Sequence, residues 1–232
     1  MPNHPIALDL IRRSGCLIAA PSANTSGRPS PTEAAHVAED LSGKIAMIID
    51  GGPVGIGIES TIIDLTEDTP MVLRPGYITP QMLSKVLGKE VIIDPGIIAA
   101  DDTRKPKAPG MKYKHYAPKA DMAIVDGTRK HVIAKINELV ASHRDDGKKI
   151  AVIATEETKQ FYDADVVLSM GSRADEDSIA HELYRILRDC DELDVDVIFS
   201  ESFSTPRIGQ AIMNRMLKAA GHQVIDTHVK YD

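Results

Sequence analysis

Tryptophan is absent from this chain of 232 residues, phenylalanine occurs only 3 times and cysteine twice. The two cysteines, Cys16 and Cys190, lie far apart, which excludes a disulfide framework and gives no metal-ligand spacing. No apolar run approaches the roughly 18 residues that a transmembrane helix needs, and the N-terminal residues lack the pattern of a signal peptide. The sequence therefore predicts a cytoplasmic protein without a membrane segment.

An excess of positive charge is also missing. The chain has 27 lysines and arginines against 34 aspartates and glutamates, a net charge of -7. This balance argues against bulk electrostatic binding of nucleic acid, although it leaves room for a local basic patch. With 43% hydrophobic and 26% charged residues, the composition is that of a globular protein with one large domain or two modest ones.

The second half of the chain has a regular pattern in which short apolar runs alternate with helical periodicity. Runs of strand length that are continuously apolar are typical of strands buried on both faces. The pattern predicts a doubly wound, mostly parallel sheet of Rossmann-like type. The predicted strands are Met122–Val125, Ile150–Ile153, Val166–Leu168, Val197–Phe199 and Gln223–Ile225, and the predicted helices are Arg129–His143, Glu156–Tyr162, Ser178–Cys190 and Ile208–Ala220.

The first half alternates irregularly between short helices and β-rich runs, which predicts a smaller α/β sheet. Thr32 is the expected N-cap of the second helix. The predicted helices are Ile6–Arg13, Thr32–Leu41 and Thr79–Leu87, and the predicted strands are Cys16–Ala20, Ile45–Ile49, Ser60–Leu65, Met71–Arg74 and Val91–Ile93. A segment rich in proline, glycine and lysine then reads as a linker. The predicted division is therefore 1–94, a linker at 95–119, and 120–232.

Three polar motifs in the first half could bind an anion. The loop Ser22–Ser30 follows an apolar run and carries hydroxyls, an amide and a guanidinium. Gly55–Thr61 combines glycines with hydroxyls, and Arg74 ends an apolar strand. Each motif has a plainer explanation as well, namely a capped turn, a strand entry or a surface ion pair. No His/Asp partners make Ser22 a hydrolase nucleophile, and the scattered histidines give no metal-ligand spacing.

The linker contains an unusual aromatic and basic stretch, Pro109–Pro118. Solvated linkers seldom concentrate tyrosines and a histidine, so we expect this stretch to dock against a folded surface. It could serve domain packing alone, or Tyr113 or Tyr116 could close over a nucleotide. The turn Asp126–Thr128 in the second half could also hold an anion at a helix start, but it lacks a glycine-rich fingerprint, and we assign no site there.

Taken together, these motifs resemble the Sua5/YrdC family, the threonylcarbamoyl-AMP synthases. The resemblance runs through the whole chain and depends on the order of several short motifs. They are Pro21–Asn24, Gly27–Thr32, Asp50–Gly52, Glu59–Thr61, Leu73–Gly76 and Pro109–Pro118.

The resemblance implies a fold, a reaction and a set of roles. The fold would be a partial YrdC-like twisted α/β sheet domain, joined by the linker to a Rossmann-like Sua5 domain. The reaction would combine L-threonine, bicarbonate or CO2, and ATP into threonylcarbamoyl-adenylate and pyrophosphate, with no covalent nucleophile. Mg²⁺ would be carried on the phosphates and not by a protein metal site. The implied ATP-binding residues are Ser22, Asn24, Ser30, Arg74 and Tyr113, and the implied L-threonine-binding residues are Ala20 and Ser60.

The resemblance also concerns partners and completeness. The product would pass to the machinery that makes threonylcarbamoyladenosine in tRNA, without direct tRNA binding by this chain. The start, Met1–Pro5, resembles an internal stretch of the family, so we expect the N-terminal part of the YrdC-like domain to be missing here. The alternatives are a catalytically inactive nucleotide- or RNA-binding remnant, and a structural pairing in which the second unit is an interaction domain.

Overall fold

The computed structural model describes residues 2–98, 116–203 and 207–228. Within these ranges the chain forms a three-stranded sheet followed by a five-stranded sheet, each with its own helices. Tyr113 and most of the predicted linker lie outside the described residues. No helix in the described ranges is long and apolar enough to cross a membrane.

The first unit contains short elements whose ends follow local sequence rules. Helix α3 shows this well: Thr79 Oγ1 accepts a hydrogen bond from the Met82 N–H at 3.3 Å, Pro80 is in the first turn, and Gly88 ends the helix in the left-handed region. Strand β2 pairs antiparallel with β1 and parallel with β3. The elements are α1 (Pro5–Ser14), α2 (Ala34–Leu41), β1 (Ile62–Asp64), β2 (Met71–Arg74), α3 (Pro80–Leu87), β3 (Ile92–Ile93) and α4 (Pro95–Ile98).

Three predictions for this unit are wrong. The strands expected at Cys16–Ala20 and Ile45–Ile49 do not form, because no described strand pairs with either segment. Apolar side chains there, such as that of the fully exposed Leu17, consequently remain uncovered. Thr32 is not the N-cap of α2: the helix begins later, and the Thr32 backbone N–H donates to His36 Nδ1 at 3.2 Å.

The second unit confirms the predicted parallel sheet. Its strand order is β6-β5-β7-β4-β8, and all neighbouring pairs are parallel. Every residue of β5 and β7 is buried, which explains the apolar runs Ile150–Ala154 and Val197–Phe199; β7 then ends in two buried polar residues, Ser200 and Glu201. The α-helix expected at Glu156–Tyr162 is wrong, since only a 3-10 turn forms, at Lys159–Phe161. The elements are β4 (Asp121–Asp126), α5 (Arg129–Asp145), β5 (Ile150–Ala154), β6 (Val166–Ser169), α6 (Glu176–Glu192), β7 (Val197–Glu201), α7 (Gly209–Ala219) and β8 (Val224–Asp226).

The helices of the second unit cover opposite faces of this sheet. Helix α5 packs into one apolar cluster, for example through Ile136, together with Val152 of β5. Helices α6 and α7 pack into another cluster, for example through Leu183 and Ile212, together with Ile153 of β5. Because adjacent residues of β5 enter different clusters, the sheet separates two cores.

The two units are joined by contacts of α6 and α7 with the first unit. Arg188 of α6 donates to Asp40, and Arg215 of α7 donates to Glu59. All four side chains are largely or completely buried. The end of the linker docks here as well: Tyr116 is buried, and the Ala117 N–H donates to the Gly27 carbonyl at 3.1 Å.

Candidate functional site

An open cavity of about 510 Å³ lies where the two units meet. Its walls are two loops of the first unit and one side chain of α6. The lining residues are Ser22, Ala23, Ser30, Pro31, Thr32, residues 54–59, and Tyr184. The cavity therefore gathers two of the three motifs that the sequence singled out.

The first loop, residues 22–32, is held by a buried carboxylate of α2. Asp40 accepts hydrogen bonds from the Thr25 N–H at 3.0 Å, from Arg188 at 3.0 Å and from the Arg28 guanidinium. Arg188 also donates to the Pro29 carbonyl at 2.7 Å. Burial opposes ionisation of Asp40, but the Arg188 and Thr25 hydrogen bonds and the two arginine charges outweigh it, so its pKa lies below the usual value.

Glu59 is the centre of the second loop. Its carboxylate accepts hydrogen bonds from Ser30 Oγ at 2.7 Å, Tyr184 Oη at 2.8 Å and Arg215 Nε at 3.0 Å. Burial again opposes ionisation, yet the Arg215 charge and these hydrogen bonds keep the Glu59 pKa below its ordinary value. Burial, followed by the Glu59 charge, raises the pKa of Tyr184 well above that of a free tyrosine. Glu59 is thus a fixed anion and Tyr184 a fixed donor.

Glycine is required where the second loop approaches its neighbours. A Cβ on Gly57, which has a positive φ of 87°, would lie 2.4 Å from the Ala180 carbonyl oxygen of α6. A Cβ on Gly76 would lie 2.5 Å from the Thr61 nitrogen. Both positions therefore exclude a side chain and bring the loop close to α6 and to the end of β2.

Arg74 and Ser60 form the margin of this region. Arg74 donates from Nε and Nη2 to the Ser60 carbonyl oxygen, at 3.1 and 2.8 Å, and approaches Ser60 Oγ at 3.5 Å. Its Nη1 has no hydrogen-bond partner within the described ranges. Ser60 directly follows Glu59 in the chain, but neither Ser60 nor Arg74 is among the residues that line the cavity.

Two further side chains belong to the same charged region. Tyr116 stacks at an angle on Tyr184, with ring centroids 5.1 Å apart. Lys218 of α7 is only 4% exposed, and its Nζ donates to Asn214 Oδ1 at 2.8 Å. Burial, with the Arg215 charge next in size, lowers the pKa of Lys218 to about 8.

This lowered pKa predicts a pH dependence. Between pH 8 and the ordinary lysine value of 10.5, the folded chain binds fewer protons at Lys218 than the unfolded chain does. The contribution of Lys218 to the free energy of unfolding therefore rises with pH across this window. Urea unfolding at several pH values should show wild type gaining stability relative to Lys218→Met from pH 8 to 10.5. Lys85→Met, which removes an exposed lysine, serves as control. The prediction would be contradicted if wild type gained the same stability relative to Lys85→Met as it does relative to Lys218→Met.

Only some of the site residues that the sequence predicts line the cavity in the structure. Ser22 and Ser30 line the cavity, whereas Ser60 and Arg74 bond to each other at its margin. The Asn24 side-chain amide donates to the Thr25 carbonyl at 2.9 Å. Its Oδ1 is buried and has no hydrogen-bond partner in the described part of the chain. Ala20 is exposed and is not among the lining residues.

Sequence reasoning missed the side chains that organise the site. In the sequence Glu59 stands out only as part of a motif, and no local pattern singles out Tyr184, Arg188, Arg215 or Lys218. No group of three or more His, Cys, Asp or Glu side chains in the described residues could hold a metal ion. Both Glu59 oxygens are already used by protein donors. The donor set therefore does not match a protein-bound Mg²⁺.

The fold and the cavity define a class: an α/β protein of two units with a cavity at their junction that is lined by hydroxyl groups and one largely buried carboxylate. Residues 78–221 match the family profile described as the C-terminal domain of threonylcarbamoyl-AMP synthase, and residues 1–76 match the Sua5/YciO/YrdC profile described as telomere recombination. The chain belongs to the threonylcarbamoyl-AMP synthase (Sua5) family.

Individual relatives agree with this assignment. A threonylcarbamoyl-AMP synthase of Bacillus subtilis is 50% identical over 225 residues, which are 97% of this chain and 63% of the relative. One from Pyrococcus abyssi is 50% identical over 226 residues, or 97% and 64% of the two chains. The crystal structure of P. abyssi Sua5 complexed with L-threonine matches with a TM-score of 0.88 and 48% identity, covering 98% of this chain and 65% of that chain. The chain thus spans just under two thirds of the length of these relatives.

Proposed function

We propose that this chain carries out the synthesis of threonylcarbamoyl-adenylate from L-threonine, bicarbonate and ATP, with release of pyrophosphate. The observation that carries the proposal is the cavity lined by Ser22, Ser30 and Glu59, in a chain whose 48% identical structural relative was crystallised with L-threonine. The product would supply the threonylcarbamoyl group for tRNA modification.

The hydrogen bonds within the site indicate which side chains can act as acceptors towards a ligand and which can act as donors. The Ser30 hydroxyl donates its proton to Glu59, so towards a ligand its oxygen acts as an acceptor. An acceptor suits a ribose hydroxyl or an ammonium group and does not suit a phosphate oxygen. Arg74 Nη1 is the donor in this region that suits a phosphate. Ser22 supplies a second, exposed hydroxyl, and Ser60 would position L-threonine.

The proposed chemistry needs positioning more than proton transfer. Attack of a carbamate on the α-phosphate brings two anions together, so fixed donors must reduce their repulsion and align the attacking and leaving groups. Glu59 does not act as a general base, because its oxygens already accept three hydrogen bonds and its pKa is lowered. Its role is to orient Ser30. The described residues provide no magnesium site, and we assign no step to Mg²⁺ beyond its entry with the ATP phosphates.

The test is pyrophosphate release from ATP by the purified chain. We expect release only when L-threonine and bicarbonate are both present. ATP binding without pyrophosphate release under those conditions would contradict the synthase proposal and favour a nucleotide-binding remnant.

Arg74→Gln should weaken ATP binding by roughly 30-fold, since a charge-assisted hydrogen bond contributes about 2 kcal/mol. Calorimetric titration with ATP measures this change. Arg144→Gln, which removes an arginine of α5 that pairs with Asp163, is the matched control and should bind ATP like wild type. Equal ATP affinity of Arg74→Gln and Arg144→Gln would remove Arg74 from the proposed site.

A further inference from the structure

A second cavity, of about 220 Å³, lies in the second unit, away from the site described above. It is lined by Gly127, Arg129, Val132, Arg173, Glu201 and Ser202. Gly127 follows β4, Arg129 begins α5, and Glu201 and Ser202 are at the end of β7. All of these positions are at the carboxyl ends of parallel strands.

The topology makes this edge of the sheet a place where ligands bind. Strands β4 and β7 are neighbours and run parallel. Helix α5, which follows β4, packs on one face of the sheet, whereas α7, which follows β7, packs on the other. Where the helices that follow two neighbouring strands lie on opposite faces of the sheet, the strand ends open into a crevice, and open α/β sheets bind ligands in such crevices. The 220 Å³ cavity occupies this switch point.

The polar side chains Glu201 and Arg173 of the cavity are held in place by hydrogen bonds to each other and to their neighbours. Glu201 is 2% exposed, and its two oxygens accept hydrogen bonds from Tyr162 Oη at 2.6 Å and Arg173 Nη2 at 2.5 Å. Arg173 Nη2 also donates to the Ser202 carbonyl at 2.9 Å, and its guanidinium lies over the Phe203 ring. Arg173 and Glu201 therefore neutralise each other inside a fixed network.

The charge of Arg129 remains unneutralised. Its Nη2 donates to the Glu157 carbonyl, and its guanidinium lies over the Phe161 ring, 5.6 Å from the centroid. These contacts fix the position of the guanidinium but bring no negative charge to it. Within the described ranges no carboxylate pairs with Arg129, and its Nε and Nη1 have no hydrogen-bond partner. Thr128 makes no capping hydrogen bond to the first turn of α5, which leaves backbone donors on the same side.

We propose that this cavity is a second ligand site, which binds the phosphate or carboxylate group of a metabolite smaller than a nucleotide. Arg129 would hold the anion through its unused N–H groups, and Arg173 with Glu201 would form the fixed wall. The volume of about 220 Å³ sets the size limit, since it is below the range of drug-sized pockets. This inference goes beyond the proposed function and does not depend on it.

The experiment is an NMR titration of the ¹⁵N-labelled full chain with sodium phosphate and, separately, with sodium succinate, at constant ionic strength. We expect saturable shifts of the Gly127 and Ser202 amide signals with at least one anion. Arg129→Gln should raise the dissociation constant by about 10- to 100-fold, the range expected for a lost charge-assisted contact. Saturation by phosphate alone identifies a phosphate ligand, and saturation by succinate alone identifies a carboxylate.

Lys130→Gln is the matched control, because it removes the same charge from the neighbouring exposed position of α5. It should bind the anion like wild type, and Arg129→Lys should lie between wild type and Arg129→Gln. The dispersion of each variant's spectrum reports whether it is folded. Linear, non-saturating shifts with both anions, or equal weakening by Arg129→Gln and Lys130→Gln, would overturn the proposal. Neither ATP nor threonine is involved, so this outcome leaves the proposed function untouched.

Discussion

Replacing Arg215 by methionine is expected to lower the free energy of unfolding by about 3–5 kcal/mol, because the change leaves the Glu59 carboxylate buried without its counter-charge. Arg215 is completely buried, and it donates to Glu59 Oε2 at 3.0 Å and to the Glu59 carbonyl at 3.2 Å. It also donates to the Pro75 carbonyl. One side chain of α7 thereby fixes both backbone segments next to Ser60 and Arg74. Urea unfolding followed by circular dichroism measures the loss.

A matched control separates this effect from the loss of any arginine. Arg185 pairs with Glu182 and Asp189 on its own helix and is 43% exposed. Arg185→Met should therefore cost less than about 1 kcal/mol. The double variant Glu59→Gln/Arg215→Met should be more stable than the sum of the two single changes predicts, because it removes both charges. A loss below 1 kcal/mol for Arg215→Met would show that Glu59 is not held by this pair.

The sheet of the second unit could be predicted from the sequence because its signal is local. Strands β5 and β7 are buried on both faces, and the apolar runs that this burial requires, Ile150–Ala154 and Val197–Phe199, are each visible in a short stretch of sequence. The prediction of an α-helix at Glu156–Tyr162 is wrong, and the reason is also local. Thr158 Oγ1 bonds with Thr155 Oγ1 at 2.8 Å and accepts from the Thr155 N–H at 3.1 Å, which favours a tight turn over a continued α-helix.

The first unit was harder because a strand needs a partner. Ile45–Ile49 has the composition of a buried strand, but no described segment pairs with it, and Met47 is 74% exposed. Hydrophobic pattern predicts that a segment would be stable as a strand inside a sheet. It does not show whether neighbouring strands are present to accept its hydrogen bonds.

The candidate site was predictable only in its loops. Ser22 and Ser30 belong to a short polar motif after an apolar run, and motifs of this kind are visible in sequence. Arg188 and Arg215, in contrast, are charged residues on amphipathic helices, where the usual interpretation is a solvated face. Their partners are 148 and 156 residues away in the chain, so nothing in the local pattern shows that they are buried.

These ion pairs give the second unit a role in the shape of the site. Arg188 holds the loop that carries Ser22 and Ser30, and Arg215 holds the loop that carries Glu59 and Ser60. Both loops lack regular secondary structure and depend on such contacts for a fixed conformation. The cavity is therefore shaped jointly by the two units.

Asp40→Asn is the sharpest test of this joint construction, because it changes one charge without changing size. The Asp40 side chain is completely buried and accepts hydrogen bonds from Arg28, Arg188 and the Thr25 N–H. An amide replaces one acceptor oxygen by donors and leaves the buried Arg188 with only the partly exposed Glu39 as a counter-charge, so we expect a loss of about 3–5 kcal/mol in the free energy of unfolding. Hydrogen exchange should also speed up in the loop of residues 22–32, where the Thr25 N–H loses its acceptor. Asp163→Asn removes the same charge from a 91% exposed side chain that pairs with Arg144 of α5, and it should cost less than about 1 kcal/mol. Similar losses in the two variants would mean that net charge, and not the buried contact between the units, determines the stability of this loop.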